Sequence, residues 1–190
     1  MKIVVVSFFT QNYADDAAKL RCSLEELAVP HRVVPVTLAD ASWKAAVVHK
    51  TQFIAEEMCA LSADFDGLIW TDADSILRRP LPLEDLADCD LGMTRFAWSK
   101  AHTPELLSGT IFFRRCPVVY SLVSDWVKTT PKYRHTDTPE QRAMEEVLPR
   151  HPQVRFKALS ADWCSIFDAP HAKGHRAVFS HFQASRTRRK

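Results

Sequence analysis

Two carboxylates, Asp72 and Asp74, stand one residue apart where an apolar run stops. The run is Leu68-Ile69-Trp70, inside GLIWTDADSILRRPL, and only Ala73 separates the two acids. In an extended segment, residues i and i+2 point to the same side with Cα atoms roughly 6–7 Å apart, so both side chains can address one ion. Like charges so placed repel, and no neighbouring residue offsets them. Paired hard oxygens suit Mg²⁺ or Mn²⁺, with water and phosphate oxygens completing the shell. A position just after a strand fits the tendency of open α/β sheets to bind ligands at the carboxyl ends of their strands. The alternative is a loop of solvated aspartates that cap turns.

A phosphate-binding site here would need partners other than a glycine cradle. The chain has four glycines, Gly67, Gly92, Gly109 and Gly174, and they form neither G-x-G-x-x-G nor a Walker-type loop. A metal ion and basic side chains are the remaining means. Arg186 and Arg188, in a C-terminal run that also holds Arg189 and Lys190, carry guanidinium forks that suit diphosphate oxygens. The same run also reads as a solvated terminus. The net charge of +2 is concentrated there, which leaves the body close to neutral. That argues against a generally basic nucleic-acid surface and leaves a local anion contact open.

The elements that must position these groups follow from periodicity. Residues 2–9 are β-rich and predict a first strand rather than a signal peptide, since no small-residue cleavage site follows. Ala17, Leu20, Leu24 and Leu27 recur at helical spacing within 13–27. A second strand is expected over 31–36. Ser42 is placed to cap a long helix through Leu61. Asp66-Gly67 makes a turn, and residues 68–71 make a third strand ending at the acids. Pro80 and Pro82 block an immediate helix. Strands are expected over 90–96 and 110–114, with Ser108-Gly109-Thr110 as a turn entering the latter. Pro117 and Pro139 sit at helix starts, and the helices run to Lys128 and Leu148. Short strands close the chain over 154–159 and 177–182. Alternation of strand and helix favours an α/β fold with a mostly parallel central sheet flanked by helices, as one domain over 1–190.

Composition is consistent with this. Hydrophobic residues make up 46% and charged residues 25% of 190, ordinary values for a globular protein. No apolar run approaches the roughly 20 residues of a membrane span. Five cysteines are scattered without a C-x-x-C pair, which predicts neither a zinc site nor a disulfide framework and suggests a reducing, cytoplasmic setting.

The segments IVVVSFF, HKTQFIAEEM, LIWTDADSIL, LLSGTIFFR, TPEQRAMEEVL and VFSHFQASR occur in an order that resembles metal-dependent, nucleotide-sugar glycosyltransferases of the GT-A fold. The likeness covers most of the chain and is strongest to small bacterial or phage members of the retaining type. It implies a nucleotide-diphosphate sugar donor, UDP-linked by preference, and a Mn²⁺ or Mg²⁺ cofactor held by Asp72 and Asp74. It places His181 as third metal ligand, and an imidazole tilts the preference toward Mn²⁺. Ser7 and Phe8 fall where the family contacts the nucleoside, although Phe8 and Phe9 also read as a buried strand end. Lys50 is expected to reach the nucleotide or its phosphates as a point cation, and equally reads as a solvent-facing helix residue. His49 beside it is expected at the surface. Ser108 and Gly109 fall at the donor sugar, where glycine permits close approach and the hydroxyls of Ser108 and Thr110 can bind. Glu140 and Gln141 correspond to an acid-plus-Gln pair near the reacting sugar. Glu140 alone also suits the helix dipole. Asp162 is a candidate wall residue.

On this reading the ion bridges the two phosphates, and Lys50 and Arg186 assist. Retention is the expected outcome. For an inverting course, Glu140 or Asp162 is the candidate base. An aromatic acceptor region is expected over 95–107, with Phe96, Trp98 and His102, and over 133–138. The acceptor is a saccharide, a protein hydroxyl or a modified DNA base, the last with the basic tail on phosphate. A phosphatase of the haloacid-dehalogenase type also places D-x-D after a strand. Its motif continues to Thr or Val where this chain has Ile76. A nucleotide-sugar binding module without catalysis is the third reading.

Overall fold

The computed structural model describes residues 1–40, 42–97, 103–166 and 176–182. Its centre is a six-stranded sheet built from β1 (Ile3–Phe9), β2 (His31–Pro35), β3 (Gly67–Thr71), β5 (Leu91–Phe96), β6 (Glu105–Arg114) and β7 (Phe156–Leu159). The spatial order is β2-β1-β3-β6-β5-β7. β1 pairs in parallel with β2 and β3, and β5 with β7, while β6 runs antiparallel to both β3 and β5. β6 alone therefore opposes the common direction, and the sheet is mostly parallel, as expected.

The helices are α1 (Ala14–Glu26), α2 (Trp43–Ala60), α3 (Pro117–Thr129) and α4 (Pro139–Val147). Strand alternation divides the core into two layers. Val6, Phe8, Leu68, Trp70, Ile111 and Phe113 face α2, α3 and α4. Ile3, Val5, Phe9, Ile69 and Phe112 face α1, through Ala17, Leu20 and Leu24. β3 is buried on both faces along its whole length, which explains its uninterrupted apolar run. Ser42 caps α2 by accepting from the Ala45 N–H at 3.2 Å.

A second, three-stranded sheet was not foreseen. It comprises β4 (Ser75–Leu77), β8 (Ser165–Ile166) and β9 (Phe179–His181), in the order β4-β9-β8. β9 falls within the short strand expected over 177–182, whereas β4 and β8, of three and two residues, carry no readable period and are defined by long-range pairing. β4 pairs antiparallel with β9, matching Ser75 with His181. This pairing brings the late strand to the residues just beyond Asp74.

Ser108-Gly109-Thr110 is not a turn before a strand. It lies inside β6, where the register with β5 jumps from Met93↔Ile111 to Thr94↔Leu107. The unmatched residues form a bulge, a device that redirects side chains at the edge of a site.

The far end of the sheet is tied by Asp90. Its carboxylate accepts from Arg155 at 2.6 and 2.9 Å and lies 3.4 Å from Arg114. The Arg155 hydrogen bonds, opposed by burial, hold the Asp90 carboxyl below its usual value of 3.8. A depressed carboxylate contributes stability that is present above that value and lost as pH falls below it. Urea titrations should therefore show wild-type stability falling more steeply below about pH 4 than that of Asp90→Asn, with the two curves parallel above pH 5.

Candidate active site

A cleft of about 370 Å³ opens along the carboxyl ends of β1 and β3. Phe8, Phe9, Tyr13 and Trp43 line it, together with Asp72, Asp74, His181, Ser108, Glu140 and Gln141. Sequence-distant residues thus meet as the expected segment order requires.

Asp72, Asp74 and His181 offer ligand atoms that all lie within 4.8 Å of one another. Each is positioned by backbone as well as side chain. The Asp72 N–H donates to Gly109 O at 2.9 Å, and the Phe182 N–H donates to Asp74 O at 3.0 Å. Asp72 Oδ1 accepts from Trp70 Nε1 at 3.1 Å and pairs with Lys50 Nζ at 2.9 Å. His181 Nε2 bonds Thr110 Oγ1 at 2.8 Å, which leaves Nδ1 for a ligand. Burial holds the His181 ring down at about pKa 4, although Asp72 pulls it upward. The imidazole is therefore neutral at pH 7, the form that can coordinate a metal. Two carboxylates and an oriented neutral imidazole suit a hard or borderline divalent cation.

Lys50 is neither solvent-facing nor free to move. Its side chain is 7% exposed and lies between Asp72 Oδ1 and Glu140 Oε1, at 2.9 and 3.3 Å. Burial opposes its charge, but the two carboxylates outweigh that effect and raise its pKa. His49 is half-buried rather than at the surface. Its ring stacks edge-on to Phe8 at 5.1 Å between centroids. Glu140 lies at the start of α4 and is buried. Its Oε1 accepts from Ser108 Oγ at 2.6 Å, while its Oε2 has no hydrogen-bond partner. Gln141 donates to Leu106 O. The Ser108 and Thr110 hydroxyls, expected to be open to a ligand, are already bonded to Glu140 and His181.

Some expected residues do not join the cleft. Ser7 is buried within β1 and does not line it, two residues short of the strand end that Phe9 brings to the cleft. Asp162 is also absent from the lining and lies 3.9 Å from Arg79. Arg186 and Arg188 lie outside the described residues, as do Trp98 and His102. Phe96 packs with Leu107, Cys164 and Ile166, and the Tyr133 hydroxyl bonds Glu146. Asp137 and Thr138 do reach the lining.

Cys164 was not anticipated at the site. Its sulfur lies 3.0 Å from where a Cβ on Gly109 would stand, and the His181 ring lies equally close. Burial raises the thiol to about pKa 12, so it stays protonated and unreactive. Only the glycine in LLSGT hinted at such a close approach. Gly109→Ala should push the His181 ring aside. A metal ion held by Asp72, Asp74 and His181 would then bind about 10- to 100-fold more weakly, with a stability loss of about 1–3 kcal/mol. Isothermal titration of the metal and a urea titration measure the two effects.

No protein-family model matches the chain, and no curated protein matches it in sequence. Solved structures do match its fold. One is the crystal structure of a glycosyltransferase involved in the glycosylation of the major capsid of PBCV-1. It superposes with TM-score 0.76 and 16% identity, covering 100% of this chain and 98% of that one. Another is the apo structure of the bifunctional glycosyltransferase WbbM. It matches with TM-score 0.64 and 12% identity, covering 96% of this chain and 46% of WbbM. The chain therefore has a glycosyltransferase fold. No helix among the described residues is long and apolar enough to cross a membrane.

Proposed function

We propose that this protein is a metal-dependent glycosyltransferase. It moves a sugar from a nucleotide-diphosphate donor to an acceptor hydroxyl, with retention of configuration. The observation that carries the reading is the convergence of Asp72, Asp74 and His181 in the cleft of a glycosyltransferase fold. A Mn²⁺ or Mg²⁺ ion held there supplies Lewis-acid neutralisation of the diphosphate leaving group.

The remaining work falls to the chain. Phe8, Tyr13 and Trp43 offer apolar faces to the nucleoside. Lys50 adds positive charge beside the phosphates and keeps Asp72 and Glu140 in place. Gly109 permits close approach at the sugar. One observation counts against an inverting course: Asp162, one of the two candidate bases, stands outside the cleft lining. In the retaining course the acceptor oxygen bonds to the anomeric carbon as the carbon–phosphate oxygen bond breaks. The acceptor proton passes to the departing diphosphate.

A thermal-shift panel of nucleoside diphosphates and their sugars, with and without Mn²⁺, tests the proposal. A ligand at about 100 times its dissociation constant adds roughly 2.7 kcal/mol. We expect a Mn²⁺-dependent rise with one nucleotide, and sugar transfer or slow donor hydrolysis with its sugar. Binding without any turnover would leave the non-catalytic module. Phosphomonoester hydrolysis with no nucleotide response would favour the phosphatase reading, which the fold already counts against.

A further inference from the structure

The cleft wall around the proposed sugar position is acidic. Asp72, Asp74, Glu105, Asp137 and Glu140 line the cleft, and among the described residues Lys50 is its only Lys or Arg. Lys50 is already shared between Asp72 and Glu140, at 2.9 and 3.3 Å. His181 Nε2 is already bonded to Thr110 Oγ1 at 2.8 Å. Among the described residues, no cation on this wall is therefore available to receive a second anionic group on the donor. A divalent ion would be matched by the diphosphate itself and would not change that balance.

A second observation points to what does bind. Glu140 is 3% exposed, and its Oε2 is buried without a hydrogen-bond partner. Buried carboxylate oxygens are normally satisfied, and an unsatisfied one is costly. Oε2 can only accept, so its partner must bring a hydroxyl or amide N–H. A sugar carboxylate would bring another acceptor and a like charge into a poorly solvated site, where repulsion is strong.

Building on the transferase reading, we infer that the transferred group is an uncharged sugar, a hexose or N-acetylhexosamine. One of its hydroxyl or amide hydrogens is donated to Glu140 Oε2, and uronic and other acidic sugars are excluded. Glu140 is then a residue that sets donor specificity as well as the partner of Lys50.

Calorimetric titration with Mn²⁺ tests this, using donors that differ only at C6. UDP-glucose is compared with UDP-glucuronate, UDP-galactose with UDP-galacturonate, and GDP-mannose with GDP-mannuronate, each beside the free diphosphate. For the nucleotide that binds, the neutral sugar should bind at least tenfold more tightly than its uronate. Glu140→Gln should narrow that ratio several-fold. Asp137→Asn, at an exposed position that carries little folding risk, should narrow it more weakly. Equal or tighter binding of the uronates by wild type would overturn the inference and leave the transferase reading standing. Failure of every nucleoside diphosphate to bind would instead sink the transferase reading, and this inference with it.

Discussion

On the proposed reading, Asp74→Ala should lower Mn²⁺-supported transfer about 10²- to 10³-fold, with little change in thermal stability. The size of the effect follows from the chemistry. A diphosphate is a tolerable leaving group only when its developing charge is neutralised, and removing one preorganised electrostatic contact commonly costs 10²–10³ in rate. Among the described residues, Asp74 is one of three ligand-bearing side chains that lie within 4.8 Å of one another at this point. The small stability effect also has a structural basis. Asp74 is half-buried, and its carbonyl, which accepts from Phe182, survives the substitution. Removing a carboxylate that is crowded by Asp72 also relieves repulsion in the metal-free protein. Steady-state transfer and loss of the Mn²⁺-dependent thermal shift measure the effect together. An Asp74→Ala protein that retained both would remove the metal role from this residue.

Lys50→Met has the largest expected effect on stability. It leaves the buried Glu140 with only Ser108 to stabilise it, and truncating one partner of a buried pair costs about 3–5 kcal/mol. Asp72 suffers less, because its side chain is 35% exposed and keeps Trp70. For a chain of this length the loss corresponds to a melting-temperature drop of roughly 10 °C. The double variant Lys50→Met, Glu140→Gln should recover more than half of it, since no uncompensated charge remains. A double-mutant cycle in urea measures the coupling, which should exceed about 1 kcal/mol for groups in contact. Strictly additive losses would mean that Lys50 and Glu140 stabilise the fold independently.

The same lysine shows where the sequence stopped being readable. Its place on α2 followed from local pattern, yet both a ligand-facing and a solvent-facing role fitted that place. The choice depends on Glu140, 90 residues away, and on Ser108, 58 residues away. Neither separation is encoded in a helical period. His181 is similar. Its role followed from resemblance, but its orientation depends on Thr110 and on the space left by Gly109. Ser7 and Asp162 fall outside the cleft lining for a related reason. Residues next to a site in sequence can sit below its floor or on a neighbouring loop.

By itself, the sequence determined what is local. The β-rich run of β1, the helical spacing of α1, the Ser42 cap, the prolines opening α3 and α4, and the buried run of β3 ending in two acids are all short-range patterns. Such patterns arise because a strand or helix must turn one face to the core. The tertiary structure alone decided the strand order, the bulge that lifts Ser108 to Thr110 out of register, and the three-residue strands joining β4 to β9. It also decided which charges neutralise one another. Pairings between distant segments are set by burial, shape and charge across the whole chain, and short segments carry too few residues to record them.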